Sequence, residues 1–240
     1  MPSPDNCPVF AQVRPISPGH FVADTAPSVF SAIKEVYGPA LIGQSIFDFV
    51  YDDFRHVSLA VVAPDLRERL VVVDGVSKTY AMTGVRVGYL AIKDATIRAR
   101  AHKLLLYTAT NVSSIAQYAA IGALEGGRAC IDGFRDELLA RRQLFFDGIA
   151  REARGVLSGA PAGGAFYAFL KIDPAWKSPI GGDQKSLSWA MTEYLITKGR
   201  VGCIPGVDFG PGGEGYIRFC YARDRSELDG ALQAIGALLR

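Results

Sequence analysis

The 240-residue chain is 49% hydrophobic and 21% charged, with 26 Lys and Arg against 24 Asp and Glu. This is the profile of a globular protein of one or two domains with a sizeable core. A net charge of +2, with basic residues scattered among acidic ones, argues against a nucleic-acid or membrane-surface partner and leaves a small-molecule site as the expectation. The first eighteen residues show no basic start followed by an apolar run, and no stretch approaches a membrane span, so a cytoplasmic protein is expected. Cys7, Cys130, Cys203 and Cys220 are widely separated, and His20, His56 and His102 fall at no metal-ligand spacing; idle thiols and no metal are expected.

Residues 1 to about 30 are rich in Pro, Ser, Asp and Gly with weak periodicity, the composition of a loop. Leu70-Val71-Val72-Val73 is short, β-branched and stopped by Asp74-Gly75, which predicts a buried strand of a parallel sheet. Val87 to Ile92 predicts a second strand. Ser77 to Gly84 then connects them at a strand end, where open α/β sheets bind ligands. Ile115, Tyr118 and Ala119 share one helical face in a run closed by Gly126-Gly127. Phe134, Leu138, Phe145 and Ile149 carry a longer amphipathic helix through Arg135 to Arg151, of the kind that connects two lobes. Strand-like runs follow at Gly164 to Ile172 and Tyr216 to Tyr221. A last helix is expected from Ser226, its hydroxyl capping together with Asp229, along Leu228, Leu232, Ile235 and Leu239. Strands mixed with helices after the long helix point to a smaller α+β lobe.

The chemistry is concentrated between Asp74 and Tyr89. Lys78 stands at the end of a predicted strand, where partial desolvation and a neighbouring cation lower an amine's pKa toward nucleophilic work. Arg86 opens the next strand, can return to the same edge and offers a rigid fork to a phosphate; Ser77 adds a hydroxyl. Singly, a Ser-Lys pair is most often a solvated turn. The ordered set is more specific: Ser77-Lys78, then Thr83-Gly84, then Arg86-x-Gly88-Tyr89 after an apolar strand resembles the cofactor-lysine signature of the class I and II aminotransferases, fold-type I pyridoxal-phosphate enzymes. The resemblance implies that Lys78 carries pyridoxal 5'-phosphate as a Schiff base and that Ser77 and Arg86 hold its phosphate.

The likeness covers roughly residues 47 to 240. Asn111 to Gln117 with Ala119-Ala120 and Ala123-Leu124, Pro161 to Tyr167 with one extra glycine, and Val201 to Gly210 are similar to successive family segments. Tyr216 to Ala222 is similar to the strand whose arginine grips the substrate's α-carboxylate, which implies that role for Arg218. An isolated arginine among Ile217, Phe219 and Tyr221 needs a partner if it points inward, and a carboxylate accepting two N–H bonds supplies one. The bland alternative is a surface arginine on an edge strand.

Upstream, Asp48-Phe49-Val50-Tyr51 is similar to the family's Asp-x-x-Tyr. This implies that Asp48 pairs with the pyridine nitrogen, keeping the ring cationic, and that Tyr51 contacts the ring oxygen. A plain strand-end aspartate is the alternative, and Asp52 and Asp53 offer other registers. Ser3-Pro4-Asp5-Asn6 is similar to the start of the family's asparagine turn, which makes Asn6 a candidate, although Cys7-Pro8 stands where Pro-Thr-Gly is the pattern. The family's glycine-rich phosphate turn and ring-stacking aromatic have no counterpart, and residues 7 to about 45 look unlike it, as from a truncated or frame-disrupted longer gene.

The fold class expected is α/β. A divergent segment spans 1–45, a remnant of a cofactor-binding large domain 46–125, and the linking helix with a small α+β C-terminal domain 126–240. The resemblance implies transfer of an amino group between an amino acid and a 2-oxo acid, in a homodimer. Lyases, cyclases and synthases use the same scaffold and lysine, and a non-catalytic remnant or half-enzyme pairing with another chain is a third possibility.

Overall fold

Three short strands, β1 (Phe10–Val13), β2 (Val71–Gly75) and β3 (Gly88–Ile92), make one sheet in the order β1-β3-β2. The computed structural model describes residues 10–13, 48–54, 56, 63–126, 128–181 and 186–239, so Asn6 and most of the divergent N-terminal segment lie outside the described residues. β1 falls where a loop was expected. Four residues have little strand signal of their own, and pairing with β3, from Phe10 opposite Ala91 to Val13 opposite Gly88, supplies it.

The parallel pairing expected for β2 and β3 is not what forms. They run antiparallel, from Val71 opposite Ile92 to Gly75 opposite Gly88. A parallel pair needs a crossover that packs over the sheet. Here the connection is a helical turn, α1 (Val76–Thr79), and a 3-10 turn, Thr83–Val85, which simply reverses the chain. Gly75 permits the reversal to be tight: a Cβ there would lie 2.8 Å from the Val87 carbonyl oxygen.

Val71, Leu90, Ile92, Ile97 and Ala101 form the core behind this sheet, with Val73 and Leu105 packed on them. Ile97 and Ala101 come from α2 (Ala95–Ala109), whose N-cap Asp94 accepts from the Ile97 amide at 2.8 Å. α3 (Ser114–Glu125) ends at Gly126 as expected. Its predicted apolar face is not buried, however, since Ile115 is 81% and Tyr118 76% exposed.

The described chain divides into two compact units: one holds the residues up to Asp48 and on to Asp132, the other Phe49–Phe54 and Gly133 onward. The long helix α4 (Ala129–Glu152) starts before the predicted Arg135 and carries the chain from one unit to the next. In the second unit β4 (Leu157–Ser158), β5 (Tyr167–Ile172), β6 (Ile204–Pro205) and β7 (Tyr216–Cys220) form an antiparallel sheet in the order β4-β5-β7-β6. Ala168, Leu170, Ile172, Ile217 and Phe219 alternate onto its buried face. Phe145 of α4 meets Phe219 and Tyr221 there, ring centroids 5.6 and 6.3 Å away. Two helices complete the unit, α5 (Leu187–Gly199) and α6 (Arg225–Leu238). Ser226 does not cap α6: Asp224 occupies the N-cap position, with no side-chain cap bond. The fold is α/β overall, with an α+β second unit. No helix among the described residues is long and apolar enough to cross a membrane.

Candidate active site

Because α1 follows β2 without a spacer, Ser77 and Lys78 sit directly at a strand end. The reversal is tied by the Tyr80 amide, which donates to the Val76 carbonyl at 3.3 Å, and by the Thr83 hydroxyl, which donates to the Ser77 carbonyl at 3.0 Å. Asp74 and Tyr89, opposite one another in the register, close its base: the Tyr89 hydroxyl donates to Asp74 at 2.8 Å. Burial, then that bond, pushes the Tyr89 phenol well above its ordinary range.

Arg86 ends the 3-10 turn at φ 60 and ψ 44, a left-handed conformation that costs a residue with a Cβ about 1 kcal/mol or more. Its Nη1 donates to the Thr83 carbonyl at 2.9 Å, while its Nε is buried and makes no hydrogen bond among the described residues. An orphaned buried donor costs about 1–3 kcal/mol. Strain and an unsatisfied cationic donor thus fall on the same residue, in the connection that also carries Ser77 and Lys78. That combination suits a bound anion, and the donor set of amine, hydroxyl and guanidinium fits a phosphorylated aldehyde.

Asp48 is brought next to this turn. It accepts from the hydroxyl of Thr79, the residue after Lys78, at 3.3 Å, and pairs with Arg128 at 2.9 Å. Neither Thr79 nor Arg128 had been singled out from sequence, and no spacing pattern ties either to Asp48. Tyr51, only 2% exposed, belongs to the second unit. Its hydroxyl donates to the Ala165 carbonyl at 2.5 Å, which also accepts from Tyr221 at 3.0 Å. Burial pushes the Tyr51 phenol up to about 12, against the opposing pull of the Tyr221 hydroxyl and the Arg142 guanidinium.

Arg218 lies on the central strand β7, opposite Phe169 of β5 and Ile204 of β6. It is therefore not on an edge strand. Alternation puts it on the sheet face away from the core, where its Cζ stands 4.5 Å from the Tyr167 ring centroid and 4.4 Å from that of Phe209. Among the described residues no carboxylate pairs with it. Phe209 is held by a turn that needs two glycines: Gly206 and Gly213 approach so closely that a Cβ on Gly213 would overlap the Gly206 carbonyl.

The model of the family "Aminotransferase class I and II" matches residues 44–235. The chain belongs to this family. It is 36% identical over 193 residues to a probable aspartate/prephenate aminotransferase of Rickettsia prowazekii, covering 80% of this chain and 47% of that protein. It is 32% identical over 203 residues to an aspartate aminotransferase of Pyrococcus abyssi, covering 83% and 49%. Among solved structures, the aspartate aminotransferase of Rhizobium meliloti superposes with a TM-score of 0.74 at 30% identity, over 92% of this chain and 54% of that one. The aromatic aminotransferase of Pyrococcus horikoshii superposes at 0.72, also at 30% identity, over 92% and 56%. The chain thus spans about half the length of the curated relatives it matches.

Proposed function

We propose that this chain serves pyridoxal 5'-phosphate-dependent transfer of an amino group between an amino acid and a 2-oxo acid. The observation that carries the reading is the orphaned buried Nε of Arg86 in the same strand connection as Ser77 and Lys78. The names of the relatives support the reaction class. A cytoplasmic homodimer is the proposal that goes with family membership.

In this reading Arg86 and Ser77 bind the phosphate, and the left-handed turn at Arg86 holds its guanidinium ready. The cofactor, when bound, supplies an electron sink for the bond broken at the substrate's α-carbon. Lys78 would hold the cofactor at its aldehyde carbon, and its amine nitrogen would move a proton on and off the substrate's α-carbon. Arg218 binds the α-carboxylate and so orients the substrate. Asp48 is assigned to the pyridine nitrogen through the carboxylate oxygen that Arg128 does not hold. Tyr51 has its proton committed to Ala165, so it can meet the ring oxygen only as an acceptor.

Borohydride reduction in the presence of pyridoxal 5'-phosphate, followed by peptide mapping, is expected to place the pyridoxyl label on Lys78. A label on another lysine overturns the assignment.

A further inference from the structure

The aromatic side chains on the solvent face of the second sheet form a connected series that ends on Arg218. Tyr216 stacks on Phe169 at 5.1 Å with an interplanar angle of 9°, and Phe169 meets Phe209 edge-on at 6.1 Å and 81°. Phe209 in turn lies against the Arg218 guanidinium, which Tyr167 flanks as well. Phe209 is 53% exposed, so core packing accounts for little of its placement.

A ring attracts a guanidinium through its π face and leaves the N–H edge of the fork undisturbed. Carboxylate recognition uses that edge. A long arginine side chain has many rotamers to lose, and a plane already held beside two rings surrenders less of that freedom on binding. We infer that Phe209, with Tyr167, is a positioning residue that holds the Arg218 guanidinium ready to receive a substrate carboxylate. The inference rests on the proposed role of Arg218 and deepens it.

Maleate is a suitable probe, since two carboxylates and a short rigid spacer leave little but carboxylate recognition to measure. Its affinity for the full chain can be followed by calorimetry without cofactor chemistry, together with the NMR resonance of Arg218 Nε–H. Phe209→Leu should weaken maleate binding about 3- to 5-fold, the range of a partly exposed cation–π contact. It should also reduce the ring-current shift of the Arg218 resonance to the part that Tyr167 supplies. Phe209→Tyr should restore both, and neither substitution should lower the melting temperature appreciably, which separates positioning from a structural role. Arg218→Lys should weaken binding about 10-fold or more, because an ammonium cannot reproduce the fork. If Phe209→Leu binds maleate as tightly as the parent while Arg218→Lys does not, the positioning role falls and the arginine's role stands. If Arg218→Lys binds as tightly as the parent, or the parent fails to bind at millimolar maleate, both fall.

Discussion

Arg86 concentrates two local penalties, a left-handed backbone and a buried Nε without a partner. Residues tolerate such penalties where something outside the fold repays them, so strain and function can be separated by one substitution. In Arg86→Gly the left-handed conformation becomes free of steric cost, the orphaned donor disappears, and the bond to the Thr83 carbonyl is lost at about 1 kcal/mol. The net expectation is a melting temperature unchanged or slightly raised, while pyridoxal 5'-phosphate binds about 10-fold or more weakly for want of a charge-assisted bond to phosphate. Thermal denaturation and a cofactor titration on the same variant check it. A clear fall in melting temperature with affinity unchanged would make Arg86 a structural residue of the hairpin connection. The sequence could name Arg86 because its interval from Lys78 is a chemical pattern. It could not show the orphaned Nε, which depends on which carbonyls the turn presents.

At the scale of elements, signals carried by near neighbours were legible and signals carried by distant partners were not. The alternation in Tyr216 to Tyr221 and the helical spacing of Leu228, Leu232 and Ile235 reproduce β7 and the buried side of α6. The run Leu70 to Val73 is equally apolar in a parallel or an antiparallel strand, and only the turns within 76–87 decide between them. α5 was not anticipated, and its N-terminus shows why. Ser186 accepts from the Trp189 amide at 3.2 Å, but the first amides, those of Leu187 and Ser188, donate to Glu214 at 2.6 and 3.4 Å, and the Ser186 hydroxyl donates to it at 2.7 Å. Glu214 is remote in sequence and arrives from the turn before β7. Burial raises the Glu214 carboxyl pKa, yet these bonds together outweigh it and hold the group below its ordinary value. A carboxylate with a depressed folded pKa contributes stability that is complete above its unfolded pKa of about 4.3 and is lost as pH falls through the folded value. Glu214→Gln should therefore cost about 0.5–1 kcal/mol near neutral pH, an exposed cap's worth after solvent screening. The difference from the parent should vanish in acid below both pKa values. Denaturant titrations at pH 7 and in acid measure this, and a deficit independent of pH would show that the charge is not what caps α5.

At the scale of the molecule, the residues proposed to hold cofactor and substrate belong to a chain of the family fold that spans about half the length of its relatives. Sequence offers no glycine-rich phosphate turn and no ring-stacking aromatic upstream of Lys78. A phosphate dianion held by Arg86 and Ser77 alone lacks the helix-terminus amides that share its charge elsewhere. A ring without a stacked partner loses orientation as well as contact. Two such losses of about 1.5 kcal/mol each weaken cofactor binding by about 100-fold relative to a site that has both. Asp48 does not add to the deficit, since Arg128 occupies one carboxylate oxygen and the other, which accepts from Thr79 at 3.3 Å, keeps a lone pair for a pyridine nitrogen. The chain alone is therefore expected to bind pyridoxal 5'-phosphate weakly, at micromolar concentrations showing little of the absorbance of a lysine-bound cofactor, and to transaminate slowly or not at all. A turnover assay with a panel of amino acids and 2-oxo acids, run beside a cofactor titration, decides it. Rapid turnover at low cofactor would mean that residues 1–45 complete the cradle in a way their sequence does not announce. Weak binding with slow turnover that rises in proportion to cofactor occupancy would locate the deficit in the phosphate and ring contacts, with Lys78 itself competent.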